Sequence, residues 1–166
     1  MVHLGVILVC CIIVGIVHAE GNCQEQTNAN AWDAIKGPGS GFYFLTNSTR
    51  SDAKKCFNVS VPTNPTGNSA PYTFGFRKDD GSWESGTGTV SGTNNQITAQ
   101  VGGQSKSATL LYGDGKTCEV TNYNEGYDLW IHSASTDNPN SCCKEIFDQK
   151  VRESGKTANY LRENCS

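Results

Sequence analysis

From residue 42 onward, apolar and polar side chains exchange places at nearly every step. The period-two runs are Phe42–Thr49, Cys56–Val61, Tyr72–Lys78, Trp83–Val90, Gln96–Val101, Ala108–Tyr112, Cys118–Tyr123 and Tyr127–His132. Between them lie turn residues: a polar loop over 62–71, Asp79-Asp80-Gly81, Gly92-Thr93-Asn94-Asn95, Gly102-Gly103 and Gly113-Asp114-Gly115. Alternation bounded by Gly, Pro, Asn and Asp is the signature of half-buried strands. Eight short strands at regular spacing predict an all-β domain, either a sandwich or an up-and-down barrel. Two segments break the period. Residues 29–36 read as a short helix stopped by Gly37-Pro38-Gly39, and Cys143 to Arg152 places Ile146, Phe147 and Val151 on one helical stripe.

The N-terminus has a different character. Leu4 to Val17 is almost wholly apolar and is followed by Val17-His18-Ala19, a small-residue cleavage pattern. Residues 1–19 are expected to be a signal peptide, leaving residues 20–166 as one domain. A membrane anchor is the rival reading, but the run is short against the roughly 20 residues a span requires. A secreted location changes the meaning of the cysteines. Cys23, Cys56, Cys118, Cys142, Cys143 and Cys165 remain after cleavage, an even set that reads as three disulfides of open pairing. There is no C-x-x-C pair, and His132 is the one histidine of the mature chain, a residue expected at the surface, so neither zinc nor another cofactor is expected. The formal net charge of −3 argues against nucleic acid and anionic membranes as partners. Sequons at Asn47 and Asn58 are candidate glycosylation sites.

The candidate chemistry lies in the last two strands. If Cys118 is bridged to the terminal helix, it faces out of the sheet. Glu119, Thr121 and Tyr123 then face in. On the next strand Tyr127, Leu129 and Ile131 suit the helix stripe, leaving Asp128 and Trp130 on the inner face. Two carboxylates in an apolar interior raise each other's pKa and attract a cation. A protonated amine would satisfy their charge and their oxygens together. Trp32, Phe42, Phe44, Phe74, Phe76, Tyr112 and Trp130 are candidate walls, contributing cation–π and stacking contacts. The alternative is a solvent-facing acidic pair on a half-exposed sheet, with the aromatics as plain core. No G-x-S-x-G, H-E-x-x-H or P-loop motif is present, so an enzyme is not expected.

These residues resemble a known group. The helix with Trp32-Asp33-Ala34, the strand Phe42-Tyr43-Phe44-Leu45, Cys118-Glu119-Val120, Tyr127-Asp128-Leu129-Trp130, the Cys142-Cys143 doublet, the following helix and Cys165 are similar to tick salivary lipocalins, the soft-tick branch in particular. The resemblance implies an eight-stranded antiparallel lipocalin barrel with a short N-terminal helix and a C-terminal helix packed outside. It also implies the pairs Cys23–Cys142, Cys56–Cys165 and Cys118–Cys143. One subset of that family binds histamine or serotonin through Cys-Asp-(Val/Ile/Leu) followed by Glu-Leu-(Trp/Tyr). Here Glu119 and Asp128 stand at the two acids, with the lengths exchanged and the charge kept. The implied ligand residues are Glu119, Asp128, Trp130, Phe42, Phe44 and Tyr112, with Asp52 matching an acid after the first strand. The acid that other amine binders carry before the Tyr112-like residue falls near Ala108, so one amine site is expected. Other members hold leukotrienes, thromboxane or fatty acids, or bind a complement protein. Lys54, Lys55, Arg77 and Lys78 are the basic residues that could meet a lipid carboxylate. The expected form is a secreted monomer that sequesters a host amine.

Overall fold

The computed structural model describes residues 23–165. The signal-peptide expectation for residues 1–19 lies outside them. Nine strands follow a short first helix: α1 (Ala31–Lys36), β1 (Phe42–Ser48), β2 (Lys55–Ser60), β3 (Ser69–Arg77), β4 (Trp83–Thr93), β5 (Gln96–Val101), β6 (Gln104–Gly113), β7 (Cys118–Tyr123) and β8 (Gly126–His132), then α2 (Ser141–Ser154) and β9 (Asn159–Tyr160). Strands β2 to β8 pair in sequence order, β8 pairs with β1, and β1 pairs back with β2. That last pairing closes the sheet into an eight-stranded antiparallel barrel, so no long edge is left to aggregate. The two-residue β9 adds to β1 beyond the point where β2 leaves it, at Asn47↔Tyr160.

Three strands run longer than alternation suggests. β3 begins at Ser69 and takes in Pro71, because its first residues pair with β4 alone: β2 joins β3 only at Val59↔Phe74 and beyond. A proline is tolerated on such an unpaired margin. β4 and β6 extend through Gly-, Ser- and Thr-rich sequence because each pairs along its length with a neighbour.

The buried apolar residues gather outside the wall and at one end of the barrel. Outside, Ile146 and Phe147 of α2 pack with Cys143 on Cys118, Val120 and Leu129, all nearly fully buried. This is the stripe that the helix sequence carries, seated on the outward residues of β7 and β8. Asn140 caps α2 through its side chain and Gly155 ends it in a left-handed conformation. At one barrel end, Trp32 and Ile35 of α1 pack on Ala70 and Val90. Gly92 is required there, since a Cβ at that position would lie 2.5 Å from the Trp32 backbone nitrogen. Helix α1 therefore plugs this end and makes it the floor. Trp32 is a stopper rather than a cavity wall. The disulfides form as Cys23–Cys142, Cys56–Cys165 and Cys118–Cys143. They pin the N-terminal segment and β7 to α2, and the C-terminal tail to β2.

Candidate functional site

The barrel encloses a cavity of about 570 Å3, within the ~300–1,000 Å3 typical of small-molecule sites. Its walls are mainly apolar: Phe57, Val59, Phe74, Phe76, Val90, Ile97 and Trp130 among others. The floor is formed near α1 by Ile35, Tyr43 and Glu119. The other end carries Lys54, Gln104 and Lys106 and is the mouth.

Strand parity puts Glu119, Thr121 and Tyr123 inside, and Asp128 and Trp130 beside them. Glu119 pairs across the strands with Trp130, and Thr121 with Asp128. The two acids are thus diagonal neighbours, with backbones roughly 7–8 Å apart. Both are buried, Glu119 at 7% and Asp128 at 2% exposure. Their circumstances differ sharply.

Asp128 is already satisfied. Its Oδ1 accepts a hydrogen bond from Ser48 Oγ at 2.6 Å, and Arg50 Nε donates to both oxygens at 3.2 and 3.1 Å. Burial pushes its carboxyl pKa up, against the lowering effect of Arg50 and Ser48. Asp52 also lines the cavity, but at the rim, where it holds Arg50 Nη1 at 2.7 Å.

Glu119 has no such partner. Its Oε1 is buried and accepts no hydrogen bond from any described residue. Burial first, and the charge of Asp114 second, push its pKa from 4.5 to about 8. The hydroxyl of Tyr43, on the same floor, is likewise buried without a partner. Burial, reinforced by Glu119, raises its pKa well above the ordinary phenol range, so it stays a neutral O–H. Unpaired buried polar atoms are rare in proteins because each forfeits its hydration. Two of them share one cavity floor, a hydroxyl and a carboxyl each with hydrogen-bonding capacity to spare.

Above this floor Phe57 is the hub of the aromatic wall, with ring centroids 6.1 Å from Phe74, 6.1 Å from Phe76 and 5.8 Å from Trp130. Trp130 is oriented by its indole N–H, which donates to Thr121 Oγ1 at 3.1 Å.

Several expected residues lie elsewhere. Phe42 and Phe44 alternate with the inward Tyr43 and Leu45, so both face outward. Phe42 is 44% exposed, and the Arg162 guanidinium covers the Phe44 ring at 4.3 Å. Tyr112 follows Leu110 by two residues and would share its inward face on a regular strand. A bulge between them sets Tyr112 opposite outward Val120 instead, under α2, where its hydroxyl accepts from Asn140. His132 is not at the surface: it is 4% exposed, with Nε2 against the Ser40 carbonyl and Nδ1 accepting from Ala134 N–H. This network fits the neutral tautomer protonated on Nε2. Of the four basic candidates Lys54 alone lines the cavity; Arg77 lies over Trp83 and donates to the Asn164 carbonyl. Of the sequon asparagines, Asn58 uses its amide nitrogen to bridge the Cys56 and Gly75 carbonyls, a seam a glycan would have to displace.

Arg50, Tyr43 and Phe57 are the site residues that sequence reasoning missed. Tyr43 and Phe57 follow from strand parity alone once β1 and β2 are placed. Arg50 follows the end of β1, where no periodicity speaks for it.

The tick histamine-binding protein family model matches residues 19–166. The chain belongs to this family. It is 31% identical over 140 residues to Moubatin of Ornithodoros moubata, spanning 81% of this chain and 80% of that protein. Among solved structures it is similar to the AM182 serotonin complex, with a TM-score of 0.74 and 27% identity over 86% of this chain and 95% of that one. Japanin from Rhipicephalus appendiculatus, solved with cholesterol, shares the fold at a TM-score of 0.52 and 12% identity, over 75% of this chain and 95% of that one. The expected lipocalin barrel and tick family are thereby shown, as is a scaffold for small-molecule binding.

Proposed function

We propose that the protein sequesters an aromatic biogenic amine of the histamine or serotonin class, by binding and without turnover. The observation that carries this reading is Glu119: a buried carboxylate with a free oxygen, beside the Tyr43 hydroxyl, at the bottom of an aromatic chamber. The ligand's ammonium donates to Glu119 and to the Tyr43 oxygen. Its ring lies against the aromatic wall that Phe57 and Trp130 form together. A charge-assisted bond in a dry site is about twice as strong as a neutral one, and the aromatic faces add cation–π attraction of roughly 2 kcal/mol where desolvated. Three disulfides hold the barrel before ligand arrives, which lowers the ordering cost of binding. They also fit release into an oxidising fluid, where removal of a free host mediator is the consequence of binding. The similarity to the AM182 serotonin complex supports the same class of cargo.

A second reading is favoured by one feature, the length of apolar wall between Glu119 and the lysines Lys54 and Lys106 at the mouth. A fatty acid or eicosanoid would lie along it, carboxylate outward. Its tail would then end against Glu119 and leave that buried oxygen without a hydrogen-bond partner. Separate calorimetric titrations with serotonin, histamine and a leukotriene decide between them. Amine heat removed by Glu119→Gln supports the first reading, and lipid heat alone reverses the order.

A further inference from the structure

Arg50 sits in a cradle built for it. Its backbone N–H donates to Ser48 Oγ at 3.0 Å, its Nε spans both oxygens of Asp128, and its Nη1 reaches Asp52. The guanidinium carbon lies 5.1 Å from the centre of the Tyr123 ring. Gly126 has no positive φ to justify a glycine; a methyl group there would overlap the Arg50 side chain. The side chain is 16% exposed and faces an Asp128 side chain that is 3% exposed. Both Asp128 oxygens are therefore already bonded to groups of the protein. A ligand cation approaching Asp128 must evict an arginine held on several sides, or sit beside a like charge.

The geometry points to Arg50 as a built-in cation that occupies the second carboxylate and limits the cargo to amines bearing one positive charge. This rests on the reading that Glu119 receives the ligand's ammonium. Among the described residues Glu119 is then the one inner carboxylate left for a ligand, and Asp52 is at the solvent-exposed rim. An amine with a second ammonium must strip water from it and finds no free acid in the chamber. Arg50 would act through Asp128 as a positioning and selecting residue, without touching the ligand's first ammonium. The same arrangement explains how two acids are carried by β7 and β8 without mutual repulsion dominating the interior: one is matched internally, the other awaits its match from outside.

Phenethylamine and its para-aminomethyl derivative differ by one aminomethyl group, and so by one positive charge, and serve as probes. Titrated calorimetrically into the oxidised wild-type protein, the monoamine should bind at least about tenfold more tightly than the diamine. Arg50→Met exposes Asp128 to the chamber, and the diamine-to-monoamine affinity ratio should rise by about tenfold or more. Because a lone buried carboxylate is costly, a second variant guards the test. Arg50→Met/Asp128→Asn replaces the ion pair by neutral groups, and it should bind the monoamine and still reject the diamine. A diamine-to-monoamine ratio equal in wild type and Arg50→Met overturns the inference, and so does a double variant that accepts the diamine or loses the monoamine. Wild-type protein that binds neither probe removes the amine reading itself and this inference with it; monoamine binding with an unmoved ratio removes only the inference.

Discussion

Glu119 concentrates the chemistry of the molecule in one side chain. With its pKa at about 8, the unliganded protein holds this acid largely protonated at neutral pH. An arriving ammonium favours the carboxylate form, so binding expels a proton. Amine affinity should therefore climb as pH rises toward about 8 and level off beyond it, and the binding heat at neutral pH should depend on the ionisation enthalpy of the buffer. The same shift has the opposite effect on the free fold. Between 4.5 and about 8 the native state binds the proton that the unfolded chain has released. Stability then falls with rising pH, by up to about 1.4 kcal/mol per unit from this group, and Glu119→Gln should flatten that decline in denaturant melts at a series of pH values. For binding, Glu119→Gln should cost roughly 2–5 kcal/mol of amine affinity, the range for removing one partner of a buried charge pair.

At the level of elements, strand alternation carried most of the design. The inward set Glu119, Thr121, Asp128 and Trp130 follows from period two once Cys118 is taken as bridged to the terminal helix, and the α2 stripe of Ile146 and Phe147 follows from period 3.6. Legibility ended where the period breaks. The bulge in β6 turned Tyr112 outward, and the bulge in β1 between Leu45 and Asn47 swings Ser48 onto Asp128. Bulges depend on how two strands meet, which one strand's sequence does not record. Phe42 and Phe44 were legible in principle, since choosing them as walls ignored the alternation that makes Tyr43 and Leu45 inner. Arg50 was not legible, because a residue in a connecting turn has no parity to read. The short α1 makes its own prediction. Gly92→Ala drives a methyl group into the Trp32 backbone and should destabilise the fold by about 1–3 kcal/mol, the usual cost of overpacking, read as a lower urea midpoint. The loosened floor should weaken amine binding in the same variant.

For the whole molecule, a thin aliphatic core is supplemented by covalent ties. Cys23–Cys142 and Cys56–Cys165 close loops of 119 and 109 residues, and Cys118–Cys143 joins β7, which carries Glu119, to α2 across 25. Reduction of all three should lower thermal stability substantially, since removing a native disulfide costs about 2–5 kcal/mol. Saturating amine should raise the midpoint of the oxidised protein in proportion to the logarithm of its concentration. The proposed function makes the barrel a preformed vessel whose unpartnered inner acid, Glu119, takes on its charge as the amine arrives. The most direct measurement of that claim is calorimetric titration of serotonin and histamine into oxidised wild-type protein and into Glu119→Gln. The account predicts one saturable amine site per chain, with affinity largely lost in the variant. Amine binding of equal strength in both proteins, or no amine heat beside tight binding of a leukotriene, would contradict it.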